Sequence, residues 1–306
     1  MNVLITGFAG HIGTALIEKL SKNKRIKKIY CIDNFSHEKF YILNKYNSKK
    51  IKIIVSDILD FNFSSLKKLH ICIHLAATTN AEKSFENKSL VNKNLKMTKK
   101  MINFCSKNKI KLLFPSSTSV YGVSSNKITE NHDKINLQPQ SPYAITKIKE
   151  EKLIKKDKKL NFFIFRLGTI FGRSQGMRFH TAINKFCLQA TLGKRLTVWK
   201  KNYFLYRPYL DLIDFVNLVN QYLNNKLHLS NRETYNLVSE NIKLSDIIVL
   251  LKKISKRKVK VSLVNTKMLN QNSYIISNDK IISCGFKFTG ELKRGIKETM
   301  LYLKNE

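Results

Sequence analysis

The sequence predicts an α/β protein in which a doubly wound parallel sheet is followed by a smaller C-terminal α/β lobe. Three observations carry this. Short apolar, β-branched runs alternate with helical stretches through the first half, a glycine-rich turn joins the first run to the first helix, and acidic or small residues recur where the runs end. Strands buried on both faces read as continuous apolar runs, and a parallel sheet covered by helices on both sides needs strands of that kind.

The first run, Asn2-Val-Leu-Ile-Thr6, opens into a helical stretch, HIGTALIEKLSKN, over 11–23. KKIYCIDN (27–34), KIIVSDI (52–58) and ICIHLAA (71–77) read as the next three strands. A long helix over 87–108 precedes IKLLFPSS (110–117), and NFFIFRLGTIFG (161–172) reads as one further buried strand. Beyond about residue 173 the elements become shorter. The expected division is therefore 1–170 for the sheet domain and 171–306 for the lobe, with part of 205–235 packing back on the sheet domain.

Composition narrows the class. The 306 residues are 43% hydrophobic and 25% charged, as in an ordinary globular protein. No stretch approaches the roughly 20 apolar residues of a membrane span. The first strand begins at Asn2, which leaves no room for a signal peptide, so a cytoplasmic protein is expected. Five scattered cysteines, without a Cys-x-x-Cys pair or a Cys/His cluster, read as buried thiols and give no metal site. The net charge of +35 is spread along the whole chain, as in SKNKRIKKIY and KKISKRKVK. No recognition-helix, zinc-finger or aromatic RNA-platform pattern accompanies it, so it reads as a solvated basic surface rather than a nucleic-acid site.

The turn TGFAGHIG puts glycines at 7, 10 and 13. Gly7 tightens the turn, Gly10 lets backbone approach a pyrophosphate, and Gly13 lets the helix pack on the strand, with the helix N-terminus attracting the phosphates. Asp33 ends the second strand, 20 residues past Gly13. A carboxylate there accepts hydrogen bonds from ribose hydroxyls and repels a 2′-phosphate, which favours NAD over NADP. Asp57 ends the third strand and meets an adenine amine in this reading, while the small Ala76 and Ala77 close the fourth. All of these lie at carboxyl ends of strands, where open α/β sheets bind ligands.

The stretch SPYAITK (141–147) places a phenol and an ammonium one helical turn apart. Ser141 can cap the helix and Pro142 can occupy its first turn. A free phenol titrates near 10, so action as a base near neutrality needs a fall of about 3 units, roughly 4 kcal/mol. The Lys147 ammonium and the positive ring of an oxidised nicotinamide would both act in that direction. Ser117, ending the buried run FPSSTSVYG, can hydrogen-bond the oxygen that the phenolate deprotonates.

TGFAGHIG, DN (33–34), HLAA (74–77), NLKMT (94–98), SSTSVYG, SPYAITKIKEE and RLGTIFG (166–172) occur in this order. Together with GKRLTVW, RPYLDLID, YNLVSEN and CGFKFTGELKRGIKET they resemble the extended short-chain dehydrogenase/reductase family of NAD-dependent nucleotide-sugar epimerases and dehydratases, over essentially the whole chain. The resemblance implies a Rossmann-type NAD-binding domain over 1–170 and a substrate-binding lobe over 171–306. It makes Tyr143 the catalytic base, Lys147 the residue that holds the nicotinamide ribose, and Ser117 the third member of the triad. Gly7, Gly10, His11, Ile12, Gly13, Asp33, Asn34, Asp57, Ile58, Leu75, Ala76 and Ala77 would line the cofactor, and Asn94 would brace the active-site end. Arg207 would contact the nucleotide diphosphate, and Thr79, Thr169 and Asn184 the sugar or nucleotide. Relatives that pair through helices beside the tyrosine helix imply a homodimer.

Relatives that dehydrate or decarboxylate sugars carry acidic residues before Val-Tyr-Gly, where this chain has Thr118 and Ser119. A plain triad suffices for oxidation and re-reduction at one carbon, so C4 epimerisation of a nucleotide sugar is the expected reaction. A 4-keto-sugar reductase or dehydrogenase is the nearest alternative; an NAD sensor or nucleic-acid-binding protein would be a non-enzymatic one. Two departures stand in the lobe: residues 265–276 lack an Arg-x-Gly-Asp element, and Ser277-Asn-Asp-Lys280 replaces the usual Asp-x-x-Lys.

Overall fold

The computed structural model describes the chain except residues 47, 67, 80–87, 123–126, 132–136, 256, 266–272 and 306. The large sheet contains β1 (Asn2–Thr6), β2 (Lys28–Asp33), β3 (Ile51–Val55), β4 (Ile71–His74) and β5 (Lys111–Ser117). With β6 (Lys127–Ile128) lying elsewhere, the sheet resumes at β7 (Phe162–Leu167). The remaining strands are β8 (Thr169–Phe171), β9 (Leu196–Trp199), β10 (Tyr206–Asp211), β11 (Glu233–Leu237), β12 (Glu240–Lys243), β13 (Val261–Val264) and β14 (Ile275–Ile276). The helices are α1 (His11–Ser21), α2 (Lys88–Lys107), α3 (Pro142–Lys156), α4 (Ala182–Thr191), α5 (Leu212–Leu223), α6 (Leu244–Ile254), α7 (Asp279–Ser283) and α8 (Leu292–Asn305).

Seven parallel strands run in the order β11-β7-β5-β4-β1-β2-β3. The order reverses between β1 and β4, which opens a crevice at their carboxyl ends. Consecutive residues feed two different cores. Val3, Ile5, Phe163 and Phe165 join Leu16, Ile17 and Phe215 of α1 and α5 on one face. Leu4, Phe162 and Ile164 join Met97, Met101 and Ile154 of α2 and α3 on the other. That two-sided burial is why the strands read as unbroken apolar runs, and Phe162–Leu167 is buried at every position. Arg166, 0% exposed in the middle of that run, is an exception in chemistry only: its guanidinium pairs with Glu151 of α3.

The run 161–172 is two strands rather than the expected one. After β7 the chain passes Gly168 and β8 leaves to pair with β10, which pairs in turn with β12. The later segment also returns: β11 is the edge strand of the large sheet beside β7, and α5 packs with α1. A third core, built from Phe171, Phe186, Ile247, Leu251, Leu292 and Ile296, holds α4, α6 and α8 together.

Two carboxylates staple this junction. Asp211 caps α5 by accepting from the Ile213 amide at 3.1 Å, and Asp214 accepts from the Thr289 and Gly290 amides at 2.7 and 2.8 Å. Burial pushes the Asp211 carboxyl from 3.8 up to about 6; the Ile213 amide and Arg294 oppose the rise and the Asp214 carboxylate adds to it. A carboxyl with a raised folded value binds its proton more tightly when folded, so stability falls as pH climbs from about 4 to about 6 and the penalty persists above. Asp211→Asn keeps the capping oxygen without the charge. Its urea midpoint should exceed that of the wild type at pH 7.5, by up to about 3 kcal/mol in stability, and the difference should close by pH 4. An equal difference at both pH values would rule this account out.

Candidate active site

β1 ends at Thr6 and the chain turns at Gly7 with φ +70, a region that favours glycine. A side chain there would put Cβ 2.6 Å from the Ala76 amide nitrogen, so the turn rests directly on the end of β4. At Gly13 a Cβ would fall 2.4 Å from the Phe8 carbonyl oxygen, so the helix packs against the turn itself. No side chain caps α1 at Gly10, which leaves its first amides to the crevice.

Asp33 closes β2 and accepts from the Ala9 amide at 3.0 Å and the Phe35 amide at 2.9 Å, which ties its carboxylate to the glycine turn. Asp57 accepts from Lys93 Nζ at 2.7 Å, from the Leu59 amide at 2.9 Å and from Asn34 Nδ2 at 3.0 Å. Burial works to raise the Asp57 carboxyl, but these donors outweigh it and hold it below the usual range. Asp33, Asn34, Asp57, Ile58 and Ala76 line one cavity. A second, of about 240 Å³, is lined by His11, Ile12, Gly13, Thr79, Ser117, Tyr143, Lys147 and Thr169. Gly7, Gly10, Leu75, Ala77 and Arg178 belong to both, so the crevice is continuous. His11 is fixed by Nε2 at 2.7 Å from the Gly172 carbonyl, and burial lowers it to about 4, so it is neutral.

α3 starts where the sequence reading puts it, with Ser141 Oγ accepting from the Ala144 amide at 3.1 Å and Pro142 in the first turn. Tyr143 is thereby brought against Ser117, and the two side chains hydrogen-bond. Lys147 Nζ lies 4.5 Å from the centre of the Phe114 ring and 3.0 Å from Glu150 Oε2. The protein's own groups leave the phenol above its ordinary value, although Lys147 acts on it in the expected direction. Burial pushes Tyr143 up; Lys147, Ser117 and Arg178 pull it down, and Glu150 opposes them. The Glu150 carboxylate paired with that ammonium acts against it, and ITKIKEEKLIKK gives no sign of this buried pair.

Asn94 is buried and clamps the segment after β4: its Oδ1 accepts from the Thr78 amide at 2.9 Å and its Nδ2 donates to the Thr78 carbonyl at 3.0 Å. Asn184 is 0% exposed and does not line either cavity. It accepts from the Gly172 amide and donates to the Arg178 carbonyl, both at 3.2 Å, so it braces the loop before α4. Arg207 also lies outside both linings, with its guanidinium 5.5 Å from the centre of the Tyr274 ring. Most of the missing Arg-x-Gly-Asp segment, residues 266–272, lies outside the described residues. Arg178 and His180 were not anticipated, yet both line the 240 Å³ cavity, and Arg178 donates to Thr79 Oγ1. Their signal is faint: two cations in a short loop of a chain full of cations.

A glycine turn at the sheet's switch point, with serine, tyrosine and lysine gathered in one cleft, defines a nucleotide-binding α/β protein of the short-chain dehydrogenase/reductase kind. The chain belongs to the NAD dependent epimerase/dehydratase family, which it matches over residues 3–237. It is 30% identical over 207 residues to the uncharacterised UDP-glucose epimerase YtcB of Bacillus subtilis (strain 168), covering 63% of this chain and 64% of that protein. It is 31% identical over 196 residues to a dTDP-D-glucose 4,6-dehydratase of Dictyostelium discoideum, covering 56% of this chain and 44% of that protein. The matched regions thus span less than two thirds of these two relatives. The fold superposes on UDP-glucuronic acid 4-epimerase from Bacillus cereus, solved in complex with NAD, with a TM-score of 0.86, 25% identity and coverage of 100% of this chain and 99% of that one. Among the described residues no helix is long and apolar enough to cross a membrane.

Proposed function

We propose that this chain epimerises a nucleotide-activated sugar at C4, using NAD that stays bound through turnover. The observation that carries this reading is the meeting of Ser117, Tyr143 and Lys147 in one cleft whose wall is the glycine turn. The residues suit NAD: the turn has no room for a side chain, the first amides of α1 are uncapped, and the Asp33 carboxylate stands beside them. Gly7, Gly10, His11, Ile12 and Gly13 would hold the pyrophosphate, and Asp33 and Asn34 the adenosine ribose. Asp57 and Ile58 would meet the adenine, Leu75, Ala76 and Ala77 would form the wall, and Lys147 would hold the nicotinamide ribose.

Bound NAD would supply the hydride acceptor and donor and, when oxidised, a positive charge that favours the phenolate. Tyr143 Oη takes the proton of the sugar C4 hydroxyl and returns it after the sugar has turned over in the cleft. Ser117 Oγ hydrogen-bonds the same sugar oxygen, and Asn94 keeps the wall segment at Thr78 in place. Residues 117–119 offer hydroxyls and no carboxylate for a second proton transfer, which supports epimerisation over dehydration or decarboxylation. The lobe over 171–306, with β11 and α5 returned to the large sheet, would carry the nucleotide. In the same reading a homodimer pairs through α2 and α3, whose exposed Lys96, Lys99, Lys149 and Lys152 need screening by counter-ions.

Arg178, which donates to Thr79 Oγ1, adds a positive charge to the cleft. That favours a uronic acid, the kind of sugar for which the Bacillus cereus neighbour is named. Incubation with UDP-, GDP- and CDP-sugars should yield a 4-epimer without net NADH. With UDP-glucuronic acid, kcat/KM should exceed that for UDP-glucose by about tenfold or more, and Arg178→Met should erase the preference. Stoichiometric NADH consumption would instead make the protein a reductase, and an undiminished preference in Arg178→Met would remove the carboxylate from that residue.

A further inference from the structure

Behind the cleft a line of polar side chains runs through the interior, and the reaction outlined above uses none of it beyond Lys147. Glu150 is 1% exposed and Lys147 4%. Glu150 Oε2 lies 3.0 Å from Lys147 Nζ, an ion pair between two buried side chains. Glu150 Oε1 accepts from Thr98 Oγ1 of α2 at 2.6 Å. Thr98 Oγ1 in turn is 3.4 Å from His74 Nε2 of β4, and His74 Nδ1 is 2.7 Å from Thr6 Oγ1 at the end of β1. Thr6 Oγ1 accepts from the Ala76 amide at 3.3 Å.

The chemistry of these groups gives each hydrogen one place. A carboxylate only accepts, so Thr98 spends its proton on Glu150. The Thr98 oxygen must then accept, which puts the imidazole proton on His74 Nε2. His74 is neutral, since burial lowers it to about 3 with the Lys147 charge acting in the same sense. Its Nδ1 therefore accepts from Thr6, whose oxygen is free to accept from Ala76. The donors run in one direction from the wall at Ala76 to the Glu150 carboxylate, where the Lys147 ammonium meets them from the other side, and four elements contribute to the line.

We propose that Glu150, held by Thr98 and His74, is a positioning residue that fixes the Lys147 ammonium and sets the pH range over which Tyr143 acts; this rests on Tyr143 being the base. The geometry gives the direction of the effect. Among the described residues, the groups that act on the Tyr143 phenol are Lys147 and Glu150 on α3, Ser117 at the end of β5 and Arg178 in the loop before α4. Glu150 is the anion of this set, so its loss leaves the cations less opposed and the phenolate more stable. The Lys147 ammonium loses its nearest partner at the same time, although Glu151 and Tyr143 itself continue to favour it. Both limbs of the pH–rate profile then move the same way.

The test uses Glu150→Gln, Thr98→Val and Thr98→Ser in the full chain. For Glu150→Gln both limbs of the kcat profile should move to lower pH, the acid limb by about 1 unit. An ultraviolet difference titration against the same protein carrying Tyr143→Phe should show the phenol ionising at correspondingly lower pH. That second readout does not depend on turnover, so it stands even if Tyr143 proves not to be the base. Thr98→Val should lower kcat about tenfold at unchanged KM for the nucleotide sugar, and Thr98→Ser should restore it. The proposal is overturned if the phenol of Glu150→Gln titrates where it does with Glu150 present. Thr98→Val turning over at the wild-type rate, or Thr98→Ser failing to rescue, overturns it equally, and the Thr98 pair decides the matter should Glu150→Gln not fold.

Discussion

Tyr143→Phe should cut turnover by about 10²- to 10⁴-fold while leaving the bound cofactor and the thermal midpoint close to those of the wild type. The substitution removes one oxygen from a ring that α3 already positions, and leaves Ser141, Pro142 and the start of that helix untouched. Its partner Ser117 keeps a second neighbour, Ser119, whose hydroxyl lies 2.9 Å away. The folded state therefore loses little. The reaction loses the group at Tyr143 that takes and returns the C4 proton, and nothing else in residues 117–119 has the acidity to replace it. Burial makes the effect larger. The protein by itself holds the phenol above its ordinary value even with Lys147 and Arg178 pulling it down, so ionisation during turnover would need the further positive charge of oxidised NAD. The measurement is the rate of 4-epimer formation by proton NMR, alongside the NAD released on denaturation. Activity within about tenfold of the wild type, at equal cofactor content, would remove Tyr143 from the role of base.

What was legible in the sequence was what the backbone imposes locally. The glycine turn could be read because Gly7 and Gly13 stand where any Cβ would strike main chain, and main-chain clashes admit no side-chain repair. Asp33 could be read because its position is fixed by the length of one helix and one strand. The helix start at Ser141-Pro142 could be read because capping is a matter of four consecutive residues. The pairing of β11 with β7 and the packing of α5 on α1 were not legible, because strand pairing depends on partners far along the chain. The split of 161–172 into β7 and β8 was hidden for the same reason: both halves are apolar, and each finds a different sheet. Buried charges were the hardest to see. In ITKIKEEKLIKK the lysines and glutamates look like one more solvated face, yet Lys147, Glu150 and Glu151 are all buried while Lys149, Lys152 and Lys155 are exposed. Helical periodicity sorts a face, but it cannot tell an interior that holds cations and anions from one that holds water. For Arg207 and Asn184 a motif gives a position in the chain, while the contacts of each side chain, with the Tyr274 ring and with the loop before α4, are set by the fold.

Arg166→Met should destabilise the protein by about 3–5 kcal/mol in urea unfolding. The guanidinium is 0% exposed; Nε donates to Glu151 Oε1 at 3.0 Å, Nη2 donates to Oε2, and its plane lies 4.8 Å from the centre of the Tyr121 ring. Glu151 also accepts from Ser116 Oγ, and Lys155 Nζ stands 3.9 Å from its Oε2, itself partly exposed and so a weak substitute. Removing the arginine leaves the buried Glu151 carboxylate without its bidentate partner, and that loss of pairing for a buried charge is the main cost. That cause is testable. Adding Glu151→Leu and Ser116→Ala to Arg166→Met removes the orphaned groups together, and stability should return to within about 1–2 kcal/mol of the wild type, because apolar side chains of similar volume can replace a buried ion pair. The triple variant also separates architecture from chemistry. Glu151 adjoins Glu150 on the helix that carries Tyr143 and Lys147, so if the Arg166 pair serves only to dock α3 on β7, the triple variant should turn over nearly as fast as the wild type. A triple variant that is stable and inactive would show that the pair also sets the charge felt by Lys147; one that remains as unstable as Arg166→Met would show that the ion pair itself, with its geometry, holds the helix in place.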